Sequence, residues 1–354
     1  MNLSKQQEEI VTTDAAQVVV IASAASGKTA VLVERVKFLL ENGTDPKKIV
    51  LITFTNAAAE ELAERLGRPK GMFIGTIHSY ANFLLLSNGK ETQDLLEEEQ
   101  FDKLFKRIKQ NPECLRPVEH LLLDESQDSN AAHFEFLLDM VQPENYMIMG
   151  DHKQSIYRWN GAYPDYLINL AKQPLVTTYE LDENYRNATN ILTYAKNIIM
   201  TAGYDYRDTS VPMRGVSGKV IPDLEYNPQA IARTFSQMKD GFGEWFILTR
   251  TNAQIDEIAA VFKRYGIPYD TFKRAELDNK ELNKKMKENT VKILTIHTAK
   301  GLEANNVIVI GAKFYNLEER CISYVAATRA RNTLIWTKMP YRQKPAYSTT
   351  NWEK

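Results

Sequence analysis

Short runs of β-branched and aliphatic residues, each followed by a stretch of helical periodicity, recur along this chain and leave few folds open to it. "QVVVIA" leads into "KTAVLVERVKFLLENG", "KIVLITF" leads into "NAAAEELAERLG", and "EHLLLDE" and "NYMIMGD" follow. Strands that are apolar throughout, with helices between them, specify a parallel sheet covered on both faces. The same pattern restarts near Val176 with "LVTTYEL", "EWFILTR", "VKILTIH" and "NNVIVIG". The chain therefore reads as α/β with two lobes. The break is expected near "AKQPLV", where Pro174 interrupts the pattern, giving lobes over 1–174 and 175–340 and a tail over 341–354.

A length of 354 residues suffices for two cores, and a formal net charge of -1 excludes a global basic field. A nucleic-acid partner would have to be held by local basic groups. Cys114 and Cys321 are far apart in the chain, which fits reduced thiols in a cytoplasmic setting better than a disulfide scaffold. The polar start "MNLSKQQEEI" is no signal peptide, and the longest apolar runs are too short for a bilayer, so no membrane partner is expected. Lys273–Asn289 is dense in Lys and Glu and reads as a solvated linker helix, with a DNA-binding arm as the alternative.

The first strand ends in Ala22-x-x-x-x-Gly27-Lys28-Thr29 before a helix. A phosphate loop needs backbone N–H groups at a helix N-terminus, a lysine for the terminal phosphates and a hydroxyl for Mg2+. Lys28 and Thr29 supply the last two. Glycine matters only where φ is positive or the phosphate approaches too closely for a Cβ, so Ser23 and Ala25 thin the cradle without abolishing it. The alternative is an ordinary strand–turn–helix whose lysine faces solvent. "EHLLLDESQD" delivers Asp124 and Glu125 to a strand end, where one carboxylate can hold Mg2+ and the next can activate water. After another strand, "GDHKQSIYRWNGA" offers Gln154 as a phosphate sensor, and Tyr157 and Trp159 as flat faces for nucleobases or as a buried aromatic corner. "LDENYRN" and "YVAATRAR" each add an arginine able to reach a terminal phosphate.

In this order the segments resemble the superfamily 1 helicases of the UvrD/Rep/PcrA type, from Leu3 to about Trp336. The resemblance implies two RecA-like P-loop NTPase lobes with parallel sheets flanked by helices, ATP and Mg2+ as cofactors, and single-stranded DNA as partner. "LSKQQEEIV" is similar to the glutamine motif and puts Gln7 on the adenine edge. "ASAASGKT" is similar to the family's loop, so Ala24, Ala25, Ser26, Gly27, Lys28 and Thr29 would surround the phosphates, with Ala30 near the base. Thr29 and Asp124 would hold Mg2+, and Glu125 would be the general base. Gln154 would couple nucleotide to DNA, Tyr185 would stack on adenine and Glu303 would meet the ribose. Arg186 and Arg329 would act as arginine fingers from the second lobe. Phe54, Asn56, His78, Tyr157, Trp159, Thr295 and His297 would line the single-strand track.

Ser23, Ala25, Ala30, Ser126 and Asn160 depart from the family pattern, which bears on nucleotide affinity and DNA grip but leaves the catalytic groups in place. Accessory insertions are expected only as stubs, over about 84–117 and 273–289. The resemblance implies 3'-to-5' translocation or unwinding, with a duplex junction reached by a hairpin with Tyr341 at its tip; an exposed tail is the alternative there. An ATP-switched DNA-binding subunit with little turnover, serving a nuclease or replication partner, is the rival reading.

Overall fold

The computed structural model describes residues 3–97, 101–200, 203, 206–273 and 284–338. Packing divides the chain into two units: Met1–Val216 with Phe314–Thr328, and Ser217–Lys313 with the chain from Arg329 onward.

The first unit is built on a six-stranded parallel sheet. Its strands are β1 (Gln17–Ala22), β2 (Ile49–Thr53), β3 (Phe73–Thr76), β4 (His120–Leu123), β5 (Asn145–Gly150) and β6 (Thr177–Leu181), in the order β3-β2-β4-β5-β1-β6. Side chains alternate between faces along a strand, so one apolar run feeds two cores. Val19, Val50, Ile52, Leu121, Leu123 and Ile148 lie in one. Val18, Val20, Ala22, Ile49, Leu51, Leu122, Met147 and Met149 lie in the other, which α1 (Lys5–Thr12), α2 (Lys28–Glu41) and α3 (Asn56–Arg65) cover with Ile10, Leu32, Val36 and Leu62. Because β4, β5 and β1 are consecutive neighbours, the segments that leave their C-terminal ends emerge side by side. Those segments are 124–128, 151–154 and 23–27. This is the crevice where parallel sheets place ligands.

The second unit repeats the plan. Its sheet runs β11 (Tyr269–Phe272), β12 (Val291–Thr295), β10 (Trp245–Thr249), β13 (Ala304–Ile310), β14 (Ala330–Lys338) and β9 (Lys219–Glu225), again parallel. The two-residue strands β7 (Glu183–Asn184) and β8 (Val211–Pro212) pair within the first unit. Ile231 and Phe235 of α10 (Pro228–Ser236) and Ile255, Ile258 and Phe262 of α11 (Asn252–Tyr265) pack on Ile247, Ile293 and Ile308. After β13 the chain enters the first unit to form α12 (Leu317–Ala327) against α9 (Thr189–Met200), then returns as β14.

This division differs from a break at Pro174. Residues 177–181 pair with β1 as the edge strand of the first sheet, and the chain as far as Val216 packs with it. The stretch about 84–117 is also more than a stub on the surface. It finishes α4 (Ile77–Ser87) and forms α5 (Gln93–Glu97) and α6 (Asp102–Gln110), and Leu84, Leu85, Leu95, Leu104, Phe105, Ile108 and Cys114 join the core. Of Lys273–Asn289, residues 274–283 lie outside the described residues, as does the segment carrying Tyr341. Both cysteines are buried free thiols, and burial pushes Cys321 up to about 12. Among the described residues, no helix is long and apolar enough to cross a membrane.

If 84–117 is part of the core, Leu104→Ala in α6 should destabilise the first unit by about 2–5 kcal/mol in urea unfolding. A peripheral stub would leave the transition where it was.

Candidate nucleotide site and nucleic-acid face

The loop between β1 and α2 is held from outside by donors to its carbonyls. Asn184 Nδ2 reaches the Ala24 carbonyl at 2.9 Å, the Tyr185 amide reaches that of Ala25 at 3.1 Å, and Gln7 Nε2 reaches that of Ser26 at 3.0 Å. Gln7 is itself fixed by a reciprocal cap with Ser4 at the start of α1. Gly27 sits at φ +84°, a conformation that favours glycine, and a Cβ there would lie 2.6 Å from Gln7 Nε2 and displace that amide. Ala25 is also left-handed, at φ 59°. One of the two glycine replacements therefore falls where positive φ is required, at a cost of about 1–2 kcal/mol.

α2 begins at Lys28 with no side chain capping its first turn. The amides there carry the positive end of the helix dipole. The Ser26 hydroxyl is buried and has no hydrogen-bond partner, which suits a phosphate oxygen. Lys28 Nζ lies 3.5 Å from Glu125 Oε1, so the loop lysine and the second carboxylate of the Asp-Glu pair share one place. Glu125 adopts φ 51°, a left-handed turn that Asp124 supports by accepting the Glu125 amide at 2.8 Å. A non-glycine residue kept in that region beside a charged cluster is the kind of strain found at functional sites.

The Asp-Glu pair is wired to the loop after β5. The Gln127 amide group donates to Glu125 Oε2, and Gln127 Oε1 accepts the Asp151 amide at 3.0 Å. Asp151 Oδ2 accepts from Gln154 Nε2 at 2.7 Å, and its Oδ1 faces Lys153 Nζ at 3.3 Å. A polar chain thus runs Lys28–Glu125–Gln127–Asp151–Gln154. Burial opposes the charge of Lys153, but Asp151 and Asp208 more than offset it and hold the ammonium above the usual lysine range. The sequence reading gave no role to Gln127 or Asn184, although both stand inside quoted motifs. Tyr324 opens the quoted "YVAATRAR" but was given no role there, and Asp208 lies in no quoted motif.

Tyr185 and Arg186 belong to the first unit, because they follow β6. The Tyr185 ring is 42% exposed, with its hydroxyl donating to Glu183 at 2.7 Å. Burial and that acidic partner raise its pKa. Arg186 Nη1 donates to the Thr328 carbonyl at 3.4 Å. In the second unit, Arg329 is buried and donates to the Leu302 carbonyl at 3.2 Å, while Glu303 pairs with Arg331 at 2.6 Å. Thr295 accepts the Thr298 amide at 3.2 Å, and His297 follows in the same turn, half-buried.

Phe54, Tyr157 and Trp159 come together as an aromatic step. Phe54 stacks on Tyr157 at 5.1 Å, and Trp159 meets Tyr157 edge-on at 6.2 Å. Tyr157 is buried and Trp159 is 66% exposed. The open stacking face is therefore that of Trp159, and Tyr157 is its backing. Asn56 is exposed at the start of α3. His78 stacks on Phe105 at 5.3 Å and meets His133 edge-on. Phe101 packs on the same ring at 5.5 Å.

Two family models match: the UvrD/REP helicase N-terminal domain over residues 3–114 and 99–174, and the UvrD-like helicase C-terminal domain over 269–341. The chain belongs to the UvrD/Rep/PcrA family of superfamily 1 helicases. It is 24% identical to a "Probable DNA helicase" of Mycoplasma pneumoniae, over 98% of this chain and 85% of that protein. DNA helicase II of Salmonella typhimurium is 27% identical over 76% of this chain and 51% of its own length. ATP-dependent DNA helicase PcrA of Staphylococcus epidermidis is 24% identical over 76% and 50%. The chain thus spans about half the length of the latter two relatives. In this UvrD-like chain the two matched segments carry the phosphate loop, the Asp-Glu pair and the "TRAR" arginine.

Relief of the left-handed alanine gives a direct check on the loop. Ala25→Gly should raise the stability of the first unit by about 0.5–1 kcal/mol in urea unfolding, since removal of strain exceeds the added chain entropy of glycine. A loss of stability would mean that Ala25 is not left-handed.

Proposed function

We propose that this chain is an ATP-dependent motor on single-stranded DNA, a translocase or helicase moving 3'-to-5'. The observation that carries the reading is the approach of Lys28 to Glu125 at the mouth of an uncapped helix, with Asp124 and the Gln127–Asp151–Gln154 chain behind it. Family membership and the DNA helicases among the relatives support the DNA partner; the direction rests on the family resemblance alone.

A triphosphate entering the loop competes with Glu125 for Lys28, because an ammonium 3.5 Å from a carboxylate can turn to a nearby phosphate oxygen. The Ser26 hydroxyl and the amides opening α2 add neutral donors. Thr29 and Asp124 would hold Mg2+. One hydroxyl and one carboxylate suffice for an ion that keeps several waters and binds substrate phosphates, and it would neutralise charge there. Glu125, released from Lys28 and oriented by Gln127, takes the proton of the attacking water. Arg186 and Arg329 serve as guanidinium donors to the terminal phosphate. Gln7 and Tyr185 meet the adenine, and Glu303 the ribose. Gln154 reports the state of the site through Asp151. On the nucleic-acid side, Trp159 stacks a base over the Phe54–Tyr157 step, Asn56 and His78 extend the track in the first unit, and Thr295 and His297 do so in the second. Stacking of this kind tolerates any sequence, and backbone contacts make binding salt-sensitive. Single-stranded DNA, up to a duplex junction, is the partner of this motor in the cytoplasm; a nuclease or replication protein belongs to the rival reading below.

The strained Ala25 favours one rival, a DNA-binding subunit switched by ATP with little turnover. Titration of ATPase activity with single-stranded DNA, RNA and duplex separates the two. We expect turnover to rise steeply with single-stranded DNA, and Glu125→Gln to lower it by about 10²–10⁴-fold while nucleotide still binds. Lys28→Ala should abolish both. ATP binding without product in the unmodified chain would favour the rival, and turnover indifferent to nucleic acid would overturn the motor.

A further inference from the structure

Ser23 departs from the family pattern that the sequence resembles, and its side chain has a use. Ser23 is buried at the base of the phosphate loop, and its hydroxyl faces Asp208 Oδ1 at 3.4 Å. The same oxygen accepts the Ser210 amide at 2.9 Å. The other oxygen, Oδ2, accepts the Tyr324 hydroxyl at 2.6 Å. Tyr324 is fully buried in α12. Ser23 is thus joined through one carboxylate to the phenol of that helix. All of these residues lie in the first unit.

Asp208 is largely buried, and burial alone would favour its neutral form. Lys153, with the hydroxyl of Tyr324 and the Ser210 amide, holds the carboxyl below its usual range. The loop after β5 therefore supplies the charge that keeps this buried acceptor ionised. A second line joins the same partners: Asn184 Nδ2 donates to the Ala24 carbonyl at 2.9 Å and to Asn187 Oδ1 at 2.9 Å, and Asn187 Nδ2 donates to the Thr328 carbonyl at 3.1 Å. Helix α12 is tied to the loop at both of these places.

We propose that Asp208 and Tyr324 are positioning residues that clamp the phosphate loop from behind, through Ser23, and so set its affinity for nucleotide. The serine at this departure gives the clamp a hydroxyl to hold. The left-handed Ala25, next in sequence, is kept in place partly by that hold. Neither residue is among those assigned above to the phosphates or to the attacking water, so the clamp acts on binding rather than on the proton transfer.

The inference rests on the nucleotide site proposed above, and its test separates the two. Mg·ADP binding to the full chain is measured by calorimetry for the unmodified protein, Tyr324→Phe, Ser23→Ala and the double variant, with ATP turnover and melting alongside. Phenylalanine keeps the ring in the core and removes only the hydroxyl. Each single change is expected to weaken ADP binding by about three- to tenfold, the range of one net hydrogen bond. The double variant is expected to fall short of the product of the two, because both act through Asp208. KM for ATP should rise in step while kcat stays within about twofold. If the unmodified chain binds ADP but both single variants bind it equally well, or the effects simply multiply, the clamp is wrong and the nucleotide site stands. A fall in melting temperature with unchanged ADP binding would reduce the pair to a structural role and overturn the proposal. No ADP binding by the unmodified chain would overturn both.

Discussion

The loop between β1 and α2 does not hold its own shape. Its carbonyls at Ala24, Ala25 and Ser26 are taken by Asn184, the Tyr185 amide and Gln7, which come from segments distant in sequence. This outside restraint is what allows a loop with one glycine, Gly27, to turn twice through positive φ, at Ala25 and at Gly27. A free peptide of this sequence would resist the first of those turns by about 1–2 kcal/mol. The surrounding hydrogen bonds offset that cost, and they leave the first turn of α2 without a side-chain cap and the buried Ser26 hydroxyl without a hydrogen-bond partner.

Everything chemical in the first unit follows from strand order. Placing β5 between β1 and β4 brings Lys28, Glu125 and Gln154 into one polar chain, although they are far apart in sequence. Gln127 is the link, bonding to Glu125 on one side and the Asp151 amide on the other. A change in what Glu125 contacts therefore reaches the loop that begins at Asp151 and leads to the Trp159 face. On the proposed function, that continuity would be the physical route between nucleotide and nucleic acid.

Much of this was legible in the sequence, and the exceptions have physical causes. Apolar strands and their C-terminal motifs reveal the two parallel sheets, because burial on both faces leaves nearly continuous Val, Ile and Leu. The boundary was less legible. "TTYEL" is an exposed edge strand, so it reads as the start of a new lobe although it pairs with β1. Residues 84–117 are amphipathic, and a pattern of that kind does not say which core receives it; the core of the first unit does. Tyr157 and Trp159 are alike in composition, and only packing makes one the backing and the other the open face. Asp208 and Tyr324 act through contacts spanning more than a hundred residues, which no local period or spacing records.

The central claim is that Lys28 leaves Glu125 when a triphosphate enters, arming the carboxylate and filling the loop together. A crystal structure of the chain with Mg2+ and a non-hydrolysable ATP analogue tests it most directly. The account predicts terminal phosphate oxygens against the amides opening α2, the Lys28 ammonium turned to them, and Glu125 facing a water in line with the terminal phosphorus. An analogue bound elsewhere, or a Lys28–Glu125 pair that persists beside bound phosphates, would contradict it.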